Sequence, residues 1–140
     1  MGDFDLDRFV MAQAPIYASA LAELRAGSKR GHWIWYVFPQ LRGLGTSYNS
    51  TYYAISSLDE ARAYLAHPVL GLRLRECTRA LLAHAGESAV SILGGIDAVK
   101  LCSSMTLFAL AGGPDDPFRR CLDTFCRGPD ESTLRLLRLD

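Results

Sequence analysis

Between Lys29 and Ser47 the chain gathers the side chains best suited to hold a flat, charged ligand. The stretch reads Lys29-Arg30-Gly31-His32-Trp33-Ile34-Trp35-Tyr36-Val37-Phe38-Pro39-Gln40-Leu41-Arg42-Gly43-Leu44-Gly45-Thr46-Ser47. Both tryptophans of the protein fall here, beside Tyr36 and Phe38, with Lys29, Arg30 and Arg42 around them. A nucleotide base needs a π face, and its phosphates need cations or backbone amides. Trp33 or Trp35 therefore suits stacking, and Arg30, or Lys100 further along the chain, suits phosphate. Gln40, Ser47 and, further along the chain, Ser104 supply hydrogen-bonding groups. Glycines at 43 and 45 let the backbone come close to an anion. The Gly43-x-Gly45 pair is not a dinucleotide fingerprint, because it lacks the third glycine and the preceding strand, and no phosphate-loop lysine follows. His32, between cations and aromatics, is the histidine best placed to act as acid, base or hydrogen-bond donor. The competing reading is that the aromatics are core, since they bury large areas. In a helix Trp33 and Tyr36 share a face while Trp35 points elsewhere, so not all of them can face one ligand.

A second cluster lies further along. Lys100, Ser103 and Ser104 stand at i, i+3 and i+4, which places them on one helix face. A buried lysine is costly unless paired. Its partner is expected to be Asp97, a helix C-terminus or an anionic ligand, unless the side chain snorkels to water. The order Lys-x-x-Ser reverses the Ser-x-x-Lys of penicillin-binding enzymes, and no G-x-S-x-G elbow is present, so no acylating serine is inferred. His67 reads as a junction residue before Pro68, and His84 as a solvated helix C-terminal residue. No two histidines have helical metal-site spacing. Cys77, Cys102, Cys121 and Cys126 form no Cys-x-x-Cys pair, so neither metal nor cofactor is expected. The cysteines read as small buried hydrophobes, with Cys102, near Lys100, closest to a reactive environment.

The elements that position these groups are helical. The chain has 140 residues, 49% hydrophobic and 21% charged, which fits one globular domain over 1–140. Fifteen basic and fifteen acidic residues cancel, so a general nucleic-acid binder is not expected. No secretory signal or membrane span is read, and Leu6 falls where a myristoylation signal after Gly2 wants Ser or Thr, which points to the cytoplasm. Apolar residues at helical spacing run through 5–26, with Pro15 breaking the segment and Gly27 ending it. Ser57-x-x-Glu60 reads as a capping box for a helix to about Ala66. Pro68 opens another over about 68–84, and Ser88–Leu93 is a short one. Residues 96–111 are apolar almost all round, as a central helix should be. Asp115 or Asp116 is expected to cap a helix near 117–127, with Pro117 at its first position, and Asp130 a last one through Leu139. Only 34–38 competes as a strand, without a partner. The expected class is all-α, a bundle of about seven helices.

The residues also resemble a known family. His32-Trp33-Ile34-Trp35-Tyr36-Val37-Phe38-Pro39-Gln40-Leu41, followed by Gly43-Leu44-Gly45-x-Ser47, is similar to the signature of the bacterial domain-of-unknown-function 1810 family. Asp7-Arg8-Phe9-Val10 with Gln13, Ser57 to Leu74, and Asp97 to Phe108 resemble its other segments. Members often carry the label "calpastatin", for which this sequence gives no support. The resemblance implies a compact, mainly α-helical domain and a link to NAD and ADP-ribose metabolism, but no established activity. This chain departs from it at Ser47–Tyr53, which lacks the family's cations, so a phosphate contact from that stretch would be missing.

Two functions follow. One is a site for a small anionic, ADP-ribose-like ligand between 29–47 and the central helix, with His32 as general acid or base if it is hydrolytic. The other is a non-enzymatic interaction module with a structural aromatic core. A pocket lined by His32, Gln40 and Lys100 would favour the first, and a flat apolar patch the second.

Overall fold

The computed structural model describes residues 4–138. The readings that rest on Gly2 and Leu139 lie outside them. Ten helices form among the described residues: α1 (Asp7–Gln13), α2 (Tyr17–Ala26), α3 (Ile34–Val37), α4 (Tyr48–Tyr52), α5 (Leu58–Ala66), α6 (Leu70–Leu82), α7 (Ala89–Leu93), α8 (Gly95–Ala111), α9 (Phe118–Phe125) and α10 (Glu131–Leu136). The all-α class is as expected. The count exceeds seven because single turns such as α3 and α4 are too short to show a helical period.

Local signals set most boundaries. Pro15 separates α1 from α2. Gly27 ends α2 in the left-handed region, at φ 73°. Ser57 Oγ accepts from the Glu60 amide, Ser88 caps α7, and Asp130 caps α10. The capping box closes one residue early: the Glu60 carboxylate takes the Ser56 amide and hydroxyl, at 2.7 and 2.8 Å. His67 is a junction residue, as expected. Its Nδ1 accepts from the Val69 and Leu70 amides and so caps the start of α6.

Residues 34–38 form no strand, in keeping with the all-α reading, while two other expectations need correcting. With no neighbouring strand to pair with, the backbone closes on itself, and the Val37 and Phe38 amides donate to Trp33 and Ile34 at 3.1 and 3.0 Å. The nearest thing to a sheet is an isolated parallel bridge between Leu41 and Ile55. Neither Asp115 nor Asp116 caps α9, which starts after Pro117 without a side-chain cap. Asp116 instead accepts from Arg75 Nε at 2.6 Å and from the Gly113 amide, and the Arg75 guanidinium holds its carboxyl below the usual range. His84 does not simply meet water: its ring nitrogens lie 2.8 Å from the Arg25 carbonyl and 3.0 Å from Glu87, joining the ends of α2 and α6.

The centre of the molecule is α8, packed against α5, α7 and α9, with α10 and α3 at its flanks. Ala98, Leu101, Met105, Leu107 and Phe108 are buried, which explains the all-round apolar pattern. Tyr64 of α5 lies edge-on to Phe9 and against Phe108, and its hydroxyl accepts from Gln13 at 3.0 Å. The pair Arg8–Glu60, at 3.1 Å and almost wholly buried, pins α1 to α5, while Arg8 also donates to the Tyr52 and Ala54 carbonyls.

The cysteines divide. Cys77 and Cys121 are buried free thiols, and burial pushes each up to about 12, so both are inert hydrophobes as expected. Cys102 and Cys126 are joined in a disulfide. That corrects the reading of all four as separate thiols, and of Cys102 as the most reactive. The two are 24 residues apart, and only the packing of α9 on α8 brings them together.

Candidate functional site

The 28–33 loop is folded around one carboxylate. Oε1 of Glu23, on α2, accepts from the Arg30 amide, the Gly31 amide and the Trp33 indole at 2.8, 2.9 and 3.0 Å. Desolvation opposes its ionisation. The three donors and the nearby Lys29 charge outweigh this and hold the carboxyl below its ordinary value. Trp33 is only 2% exposed and packs in the core with Phe38, Ile34 and Val37. Its faces are taken by protein, so the core reading describes Trp33, while Trp35 is half-buried. Glu23 was not singled out in the sequence. It sits on an ordinary amphipathic helix, and nothing at that distance from Trp33 marks the contact.

Lys29 is likewise committed inward. Its ammonium meets Asp97 Oδ2 at 2.7 Å, lies 4.9 Å from the Trp33 ring and donates to the Gly31 carbonyl. Its side chain is 7% exposed, so it is a buried structural cation. Asp97 is thereby neutralised by Lys29. It is not the partner of Lys100.

Lys100 projects from the first half of α8, half-buried, with its Nζ 5.9 Å from the Trp35 ring centroid. No carboxylate pairs with it among the described residues. It lines two adjoining depressions of about 330 Å³ each. One is bounded by Gln40, Leu44, Gly45, Ser50, Ile96, Val99 and Lys100. The other is bounded by Trp35, Leu93, Gly94, Gly95, Ile96, Asp97 and Lys100. The second opens on the start of α8, where no side chain caps the helix. Helix-leading amides have no intrahelical acceptor and carry partial positive charge.

Trp35, Gln40, Gly45 and Lys100 are thus brought together. The other sequence candidates are placed elsewhere. Arg30 and His32 are exposed on the 28–33 loop and line neither depression. Ser47 caps α4, accepting from the Ser50 amide at 3.1 Å. Gly43, at φ 102°, uses its freedom to turn the loop against Leu136 of α10. At Gly45 a Cβ would lie 2.6 Å from the Ser50 hydroxyl, so this glycine permits a close approach within the protein itself. Ser103 donates to the Val99 carbonyl at 3.2 Å. Ser104 is wholly buried, and its hydroxyl has no hydrogen-bond partner among the described residues. The shared face of Lys100, Ser103 and Ser104 therefore runs from surface to core within one helical turn. Ile96 and Val99, which the sequence reading had not picked out, line the site instead and are 75% and 63% exposed.

Residues 3–137 match the family described as "Protein of unknown function (DUF1810)". The chain belongs to this family. The DUF1810 chain is also similar to a solved structure, the conserved hypothetical protein Rv1873 from Mycobacterium tuberculosis. They share 53% identity over 99% of this chain and 100% of that one, with a TM-score of 0.95. Among curated proteins none matches. No helix among the described residues is long and apolar enough to cross a membrane.

Proposed function

We propose that this DUF1810 protein binds a small anionic, nucleotide-like ligand, of the ADP-ribose or NAD kind, in the groove beside Lys100. One observation carries the reading: Lys100 lines the depression that opens on the uncapped start of α8, and the Trp35 ring is its one partner among the described residues. Lys29 neutralises Asp97, so the groove keeps the positive charge of Lys100, which meets no carboxylate among the described residues, and of the helix start. Trp35 offers a partly open π surface, and Gln40 a hydrogen-bonding amide. Each depression is at the small end of the roughly 300–1,000 Å³ of ligand sites. His32 lies off the groove, so the proposal is for binding, and no reaction is assigned.

The test is thermal shift and calorimetry with ADP-ribose, NAD and simple nucleotides on wild type and Lys100→Met. A ligand at a hundred times its dissociation constant adds about 2.7 kcal/mol to stability. The expected result is stabilisation of wild type that the variant loses. No response to any of them at millimolar concentration sinks the reading. The exposed Ile96 and Val99 favour a second reading, in which this edge of α8 meets a protein partner. It predicts that Val99→Ser weakens association while nucleotides do nothing.

A further inference from the structure

The C-terminal segment is attached to α8 at two points one helical turn apart. Cys102 holds Cys126 through the disulfide. Thr106, four residues on, accepts the Asp130 amide at its Oγ1 at 2.8 Å, while that hydroxyl donates to the Cys102 carbonyl. Between the attachments run Arg127, Gly128 and Pro129, which are exposed or half-buried. Upstream, α9 is anchored by buried Phe118, Cys121 and Leu122. Downstream, α10 buries only Thr133, with Leu137 packed partly against the core. A six-residue helix with so little burial has small docking strength of its own. Yet α10 supports the candidate groove. Leu136 sits against Gly43, Gly43 and Leu44 line a further depression with Ser132, Arg135 and Leu136, and Leu44 and Gly45 then form one wall of the groove facing Lys100.

We propose that the Cys102–Cys126 disulfide is a redox-controlled tether whose reduction releases α10 from α8 and loosens the Gly43–Leu44 wall of the groove. The chemistry is thiol–disulfide exchange with a dithiol reductant. One thiolate of the reductant attacks either sulfur and displaces the other cysteine as a thiolate, which takes up a proton. The reductant's second thiol then attacks the mixed disulfide. It leaves as a cyclic disulfide, and the protein keeps two thiols. Both cysteine residues are half-buried, so a small dithiol can reach them. Cys77 and Cys121 are fully buried and stay out of the exchange.

Amide hydrogen exchange on the whole chain, with and without dithiothreitol, tests this, with non-reducing peptide mapping to score the bond. Reduction should raise exchange over 127–137 by about tenfold or more, since such a cross-link constrains the loop it closes. Helices α2, α5 and α6 should change by much less than 127–137. The variant Cys126→Ser should exchange like reduced wild type and be indifferent to reductant. Unchanged exchange at 127–137, unfolding of the whole chain, or free Cys102 and Cys126 thiols after mild oxidation would each overturn the proposal. The effect on the groove rests on the ligand reading above: a nucleotide that stabilises the oxidised protein should bind at least about threefold more weakly after reduction. If no nucleotide binds either form, that reading fails, while the exchange data still decide the tether.

Discussion

Replacing Glu23 with alanine should cost the protein about 3 kcal/mol, because one oxygen of this side chain accepts three donors from the next loop. The donors are unequal. The Trp33 indole is in the core, at 2% exposure, and an orphaned buried N–H costs about 1–3 kcal/mol. The Arg30 and Gly31 amides are nearer water and can rehydrate, so each contributes about 0.5–1 kcal/mol. For a domain of this size the sum corresponds to a fall in Tm of about 10 °C. Glu23→Gln keeps an acceptor without the charge and should lose about half as much. The pH dependence separates the two terms. The folded-state carboxyl is held below its unfolded value. Its charge-dependent contribution is therefore fully present above the unfolded value, near 4.3, and is lost as pH falls through the folded value. The gap between wild type and Glu23→Gln should accordingly shrink in acid and be constant from about pH 6 upward. Urea denaturation followed by tryptophan fluorescence reads all of this. A Glu23→Ala variant within about 0.5 kcal/mol of wild type, or one no worse than Glu23→Gln, would refute the assignment of Glu23 as the organiser of the loop.

Asp97→Asn should destabilise by about 2 kcal/mol, because it leaves the 7%-exposed Lys29 charge without its counter-ion. Lys29→Met with Asp97→Asn should recover part of that loss in a double-mutant cycle, and strict additivity would count against the pair. Ser104→Ala should leave stability unchanged or raise it by up to about 1 kcal/mol, since it removes a buried hydroxyl that has no partner among the described residues. A loss above about 1 kcal/mol in chemical denaturation would show that the hydroxyl is bonded in solution.

Part of the candidate site was legible in the sequence. The 29–47 segment and Lys100 do border one groove, and Trp35, Gln40 and Gly45 meet Lys100 there. The roles within the segment were not. Trp33 and Trp35 are two residues apart and look equivalent as residue types. One goes to the core and the other to the surface because α3 is a single helical turn packed on α8, a turn too short to show a period. Lys29 read as one of three cations flanking the aromatics, and Lys100 as a lysine awaiting a partner. Only the approach of the 28–33 loop to the start of α8 gives Asp97 to the first and leaves the second open. His32 and Arg30 look well placed along the chain, yet the turn that Glu23 organises carries them off the groove.

The sequence by itself determined where most of the longer helices begin and end. Pro15, Gly27, Ser57, Ser88 and Asp130 act within one helical turn of themselves, through missing donors, left-handed backbone or a hydroxyl or carboxylate reaching an amide three residues away. That interaction is complete before any helix meets another. Tertiary structure alone decided which charge meets which, which tryptophan is covered, and that Cys102 meets Cys126 across 24 residues. Those outcomes depend on the angle and offset at which α2, α3 and α9 lie on α8. That packing is set by the sum of many small apolar contacts along α8, and no single residue in the chain announces it.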